Sequence, residues 1–178
     1  DEDSVRAACQ QYREAMNRYY PGESLVIYAS KAWNCLAVCA LVNQENLGID
    51  VVSAGELLTA VKAGVPSDRL YFHGNNKSLA ELQQGIESGG RIVVDNWFEL
   101  QSLSELAQQA GQTVPILLRL TPGIECHTHE YIRTGHLDSK FGFDPDQIEE
   151  VFQFVAQQPQ LHCLGLHAHI GSQIFELQ

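Results

Sequence analysis

The sequence predicts an α/β protein with parallel strands, and within that class a (β/α) barrel that stops short of closing. Three observations carry this. Helical stretches alternate with short β-rich runs along the whole chain. Those runs are mostly continuous apolar segments, as strands are when helices cover a parallel sheet. The first five begin 23, 22, 21 and 23 residues apart, and each interval holds one helix and two short turns. An eight-stranded barrel with its helices takes about 250 residues, whereas this chain has 178. The expected fold is one partial domain over 1–178, an incomplete TIM-type barrel with about six of the eight parallel strands. It is expected to be a piece of a longer protein. A complete, open, doubly wound sheet is the architectural alternative.

The elements follow in order. Val5, Ala8, Cys9, Tyr12, Ala15 and Met16 recur at helical spacing and make an amphipathic N-terminal helix. Leu25 to Ala29 is the first strand, and Cys35 with Cys39 marks an apolar helix after it. Gly48 to Val52 is the second strand. Ser53 with Glu56 caps the next helix, and Gly64 before Val65-Pro66 stops it. Leu70 to Phe72 is the third strand, followed by a second capping box, Ser78 with Glu81. Arg91 to Val94 is the fourth, and its helix ends at Gly111. Val114 to Leu120 is the fifth, with a long polar loop beyond it. Asp144, Pro145 and Gln147 then supply an N-cap, a first-turn proline and a reciprocal cap. Leu161 to His169 is the sixth strand.

Composition removes several functions. Lys and Arg number 11 against 22 Asp and Glu, a formal charge of −11. The four lysines, Lys31, Lys62, Lys77 and Lys140, are scattered, so no basic patch offers a nucleic acid a footing. No apolar run is long enough to span a bilayer. Five cysteines without a CxxC fit buried thiols in a reducing, cytoplasmic setting.

In a barrel the chemistry gathers at the C-terminal ends of the strands. Here those ends carry Ser30-Lys31, Asp50 with Ser53 and Glu56, His73 to Lys77, Asp95-Asn96, Arg119, and His167, His169 and Ser172. One polar loop means little, but six that agree point to an active site. Lys31 is the most telling. A lysine at a strand end among apolar neighbours can be partly desolvated, which turns its amine into a nucleophile for an aldehyde. The ordinary alternative is a lysine reaching to solvent along the rim.

His167 and His169 stand two apart in a strand and face the same side. Gly171-Ser172 beyond them offers amides and a hydroxyl suited to a phosphate. An imidazole at the rim can stack on a flat ring or move a proton. For either histidine, the ordinary alternative is a satisfied core residue. With His127 and His129, the pair also raises a rival chemistry, a metal-dependent hydrolase fed by His-x-His on a strand. Asp50, Asp95 and Arg119 can equally be rim charges that brace loops.

The motifs together resemble a known family. Tyr28-Ala29-Ser30-Lys31-Ala32 resembles the cofactor-lysine segment of pyridoxal-phosphate decarboxylases of the alanine-racemase-like barrel class. Asp50 to Leu57 resembles their second strand. Four segments together are similar to the diaminopimelate decarboxylases within that class. They are His73 to Ser78, Thr128 to Ile132 with Thr134-Gly135, Ser139-Lys140-Phe141-Gly142 and Leu166 to Gln173. The resemblance runs from about Leu25 to Gln173.

The resemblance implies pyridoxal 5'-phosphate held by Lys31. It implies His169 stacked on the pyridine ring, Ser172 on the phosphate, and Asp50 and Glu56 shaping the charge nearby. His136, Lys140, Arg119 and Asp95 become supporting groups. The implied reaction is decarboxylation of meso-2,6-diaminopimelate to L-lysine in a full-length homodimer. That enzyme has further strands and a C-terminal β-domain absent from this chain, so the fragment alone is expected to be inactive. A non-catalytic pyridoxal-phosphate-binding protein is a further alternative.

Overall fold

The structure, a computed structural model, describes residues 1–121 and 141–171. The chain divides into two units, residues 1–73 with 87–91, and residues 74–86 with 92 onward.

In the first unit, α1 (Glu2–Tyr19) starts on Asp1, whose carboxylate accepts from Ser4 N at 3.0 Å. Its amphipathic stripe is only partly covered: Cys9 is buried, while Tyr12 is exposed. Glu45, at the end of α2 (Leu36–Gln44), fastens α1. Arg6 Nη1 lies 2.8 Å from its carboxylate, Gln10 Nε2 donates at 3.0 Å, and Arg13 donates to its carbonyl at 2.6 Å. The Arg6 hydrogen bond holds the Glu45 carboxyl below the usual carboxylate range.

The strands β1 (Ile27–Ala29), β2 (Gly48–Val51) and β3 (Leu70–Phe72) run parallel, with Ala29 opposite Asp50 and Asp50 opposite Tyr71. Ile49, Val51, Leu70 and Phe72 are buried on the other face of the same strands. α3 (Ala54–Lys62) is capped by Ser53, whose Oγ accepts from Glu56 N at 3.3 Å. Gly64, at φ 81°, ends it.

The second unit repeats the arrangement. α4 (Leu79–Ser88) opens on the expected capping box: Ser78 N donates to Glu81 at 3.0 Å and Glu81 N to Ser78 Oγ at 3.3 Å. Strands β4 (Arg91–Val94), β5 (Val114–Leu120) and β6 (Leu161–Ala168) are parallel. α5 (Trp97–Ala110) and α6 (Ile148–Ala156) cover them. Ile92, Val94, Leu100, Leu103, Ile116, Leu118, Phe143 and Val151 form its core. Between β5 and β6 the register shifts: Ile116 faces Cys163, but Leu117 faces Gly165. Leu164 is the extra residue of a bulge, and Gly165 takes φ 149° there.

The fold class and all six strands agree with the sequence. The differences are at strand ends, where β1 begins at Ile27, β2 ends at Val51 and β6 ends at Ala168. Among the described residues, no helix is long and apolar enough to cross a membrane. Cys9, Cys35, Cys39 and Cys163 are free thiols.

Candidate active site

In the first unit, β1 runs into a 3-10 turn over Ser30–Ala32 that carries Lys31. The side chain of Lys31 is exposed, with no hydrogen bond or ion pair to a described residue. The described residues around Lys31 therefore do not by themselves supply the apolar surroundings that the sequence allowed for. The residue before it is the opposite. Ser30 is fully buried and donates its hydroxyl to Glu56 Oε2 at 3.2 Å. The same oxygen accepts from Val52 N at 2.7 Å. Glu56 therefore ties the end of β1 to the end of β2 and braces the turn from beneath. Asp50 is half-buried on the strand face it shares with Ala29 and Tyr71.

In the second unit, exposure alternates along β6. His167, and His169 one residue past its end, are half-buried, while Leu164 and Leu166 are exposed, the alternation that the two-residue spacing predicts. His167 is the register partner of Arg119. Burial, together with the Arg119 charge and His169 beside it, pushes the His167 imidazole down to about 4. The ring is neutral at pH 7.

Arg119 is itself buried, with Nη1 2.8 Å from Asp95 Oδ1. The other Asp95 oxygen accepts from Gly142 N at 3.2 Å. The Arg119 guanidinium sits 4.6 Å from the centre of the Phe141 ring. Asp95 and Arg119 are thus the bracing pair that the sequence allowed for. Ser172, His127, His129, His136 and Lys140 lie outside the described residues.

Sequence reasoning missed one cluster. Lys77 and Glu99 form an ion pair at 2.8 Å with both side chains 2% exposed. Lys77 Nζ also donates to Gly74 O at 2.6 Å and Val93 O at 2.9 Å. Burial pushes the Lys77 ammonium below its ordinary value, against the pull of Glu99. Burial likewise pushes the Glu99 carboxyl up to about 7, opposed by Lys77. The available signal was Glu99 three residues after Asn96, the place of a reciprocal capping residue. Asn96 does cap α5, accepting from Glu99 N at 3.0 Å, but the Glu99 side chain goes to Lys77.

The residues present suit a pyridoxal group. Lys31 offers an exposed primary amine at a strand end, which an aldehyde can reach. Lys77, by contrast, is buried in its ion pair. Within the first unit, Glu56 adds a fixed carboxylate beneath the lysine turn. Within the second, half-buried His169 offers a flat ring just past the end of β6.

Comparison with known proteins agrees. Residues 2–178 match the sequence profile described as pyridoxal-dependent decarboxylase, pyridoxal binding domain. A diaminopimelate decarboxylase of Synechocystis sp. is 62% identical over the whole chain, which spans 40% of that relative. One from Bacillus subtilis is 51% identical over 85% of the chain, which spans 35% of it. Among solved structures, the diaminopimelate decarboxylase of Helicobacter pylori in complex with L-lysine superposes with a TM-score of 0.93 at 34% identity. That match covers all of this chain and 45% of the other. The chain therefore spans less than half the length of each of these relatives.

Proposed function

The chain belongs to the pyridoxal-dependent decarboxylase family, whose pyridoxal-binding domain it matches from residue 2 to residue 178, and from that premise we propose that it is the cofactor-binding part of a diaminopimelate decarboxylase. The observation that carries the proposal is Lys31, an accessible amine on a turn held from beneath by Ser30 and Glu56. Identity of 62% to the Synechocystis enzyme favours meso-diaminopimelate over other basic amino acids as the substrate, with L-lysine as the product.

Bound pyridoxal phosphate supplies an aldehyde that captures amines and a ring that accepts the electrons left when a carboxylate departs. The chain's own residues would do the holding: Lys31 would take the aldehyde through its amine, and His169 and Ser172, by the family resemblance, would serve the ring and the phosphate. Glu56 holds Ser30, and with it the turn on which Lys31 sits. Asp50, opposite Ala29 in the strand register, would add negative charge at that strand end. The reading extends to a homodimer of full length in a reducing cytoplasm, with which the free thiols of Cys9, Cys35, Cys39 and Cys163 are consistent.

The experiment is to mix the chain with pyridoxal phosphate, reduce with borohydride and locate the label by peptide mass. Label on Lys31 at stoichiometric cofactor, abolished by Lys31→Ala, is the expected result. Label spread over Lys62, Lys77 and Lys140 overturns the assignment. Turnover is read after placing this chain in the Synechocystis relative in exchange for its own matching segment. Lysine formed from diaminopimelate, with ornithine and arginine untouched, supports the substrate. Cofactor capture with no turnover of any amino acid favours a non-catalytic pyridoxal-phosphate-binding protein.

A further inference from the structure

We propose that Lys77, paired with Glu99, is a positioning residue of this site, acting through Asp95 and Arg119 on the histidine strand β6. The inference rests on the decarboxylase reading for its effect on turnover, but its geometry stands within the second unit alone.

The ammonium of Lys77 has three protons and three partners: Glu99 Oε1 at 2.8 Å, Gly74 O at 2.6 Å and Val93 O at 2.9 Å. One side chain thus joins the loop after β3, the end of β4 and the first turn of α5. Val93, whose carbonyl Lys77 holds, lies two residues before Asp95. The Asp95 carboxylate in turn grips Arg119 at 2.8 Å and Gly142 N at 3.2 Å. Arg119 lies beside His167 in the β5–β6 register, and His167 is two residues from His169 on the same face. Four buried charges in two pairs lead from the loop after β3 to the strand that carries the candidate cofactor-stacking histidine.

Stability does not account for such an arrangement. Desolvating two charges costs several kcal/mol per ion, and replacing a buried pair by apolar side chains of similar size is often neutral or stabilising. Buried polar contacts have another effect, which is to favour a single geometry. Lys77 holds the chain that leads into Asp95, and Asp95 holds Arg119.

The test compares the parent with Lys77→Met/Glu99→Leu, which replaces the pair by apolar groups. Two readouts are taken: the titration of His167 in the chain by nuclear magnetic resonance, and kcat and KM in the Synechocystis exchange protein. The expected double variant stays folded. Its His167 titrates about one pH unit higher, because Arg119 no longer sits fixed beside it. Its kcat falls by about tenfold or more while KM changes less than about twofold. A folded double variant with unchanged His167 titration and unchanged kcat overturns the proposal and leaves the pair a packing device. If the double variant does not fold, Glu99→Gln, which keeps the size and an acceptor oxygen, carries the same two readouts. A parent exchange protein without turnover sinks the decarboxylase reading instead, and the histidine titration still decides the positioning claim.

Discussion

Ser30 donates its hydroxyl to Glu56 across 3.2 Å, so the residue that precedes Lys31 is anchored to the first turn of α3. Ser30 is fully buried. Its hydroxyl has no access to water if the acceptor is lost, and an orphaned buried donor costs about 1–3 kcal/mol.

Glu56→Ala is therefore expected to lose about 1–3 kcal/mol in urea denaturation and to slow borohydride-trapped labelling of Lys31. Ser30→Ala/Glu56→Ala removes donor and acceptor together, so its cost is less than the sum of the two single costs. Strict additivity in that cycle refutes the link.

Gly142 adopts φ 78°, and a Cβ there would meet the Arg119 carbonyl at 2.8 Å. Gly111, which ends α5 at φ 62°, has nothing within 4 Å of such a Cβ. Both substitutions to Ala strain the backbone by about 1–2 kcal/mol. Gly142→Ala adds a clash with the backbone that carries Arg119, so it is expected to be the more destabilising. Equal midpoints in urea contradict this.

Two groups give opposite pH slopes. The Glu99 carboxyl is raised from 4.5 to about 7, so the folded state holds its proton longer than the unfolded state. Its contribution to stability falls as pH rises through that window. The His167 imidazole is lowered from 6.5 to about 4, so the unfolded state binds the proton first. Its contribution is present above 6.5 and is lost as pH falls towards 4. The two slopes partly cancel in the parent. Glu99→Gln is expected to leave stability rising more steeply with pH between about 4.5 and 7, and His167→Asn to leave it falling. Denaturation midpoints across that range check both signs.

Leu100 is fully buried in the second unit. Leu100→Ala is expected to cost about 2–5 kcal/mol through lost transfer energy and the cavity left behind. Phe98, one turn position away from the core, is 68% exposed. Phe98→Ala is expected to stay within about 0.5 kcal/mol, and calorimetry of the pair measures the contrast.

Much of the fold was legible because it depends on local rules. Ser78 and Glu81 cap each other because three residues is the reach of that reciprocal bond. Gly111 ends α5 because its φ of 62° suits a residue without Cβ. His167 and His169 share a face because the strand period is two. The 3-10 turn after β1 was not legible: Ser30–Ala32 reads as a continuation of the strand, yet Ser30 is buried there and Lys31 exposed. The Lys77–Glu99 pair was not legible either. Its partners are 22 positions apart in the chain, beyond the reach of any local pattern.

The sequence by itself determined the alternating elements, their parallel class, the strand-end positions of the polar residues and the resemblance that named a cofactor. Periodicity, caps and motif order are all written within a few residues of one another. Only the tertiary structure decided which of those residues meet. Without the bulge at Leu164, His167 would fall opposite Leu120; with it, the partner is Arg119. A one-residue shift reverses which side chains face each other. Such a shift is selected by the packing of β5 against β6 and not by either strand alone.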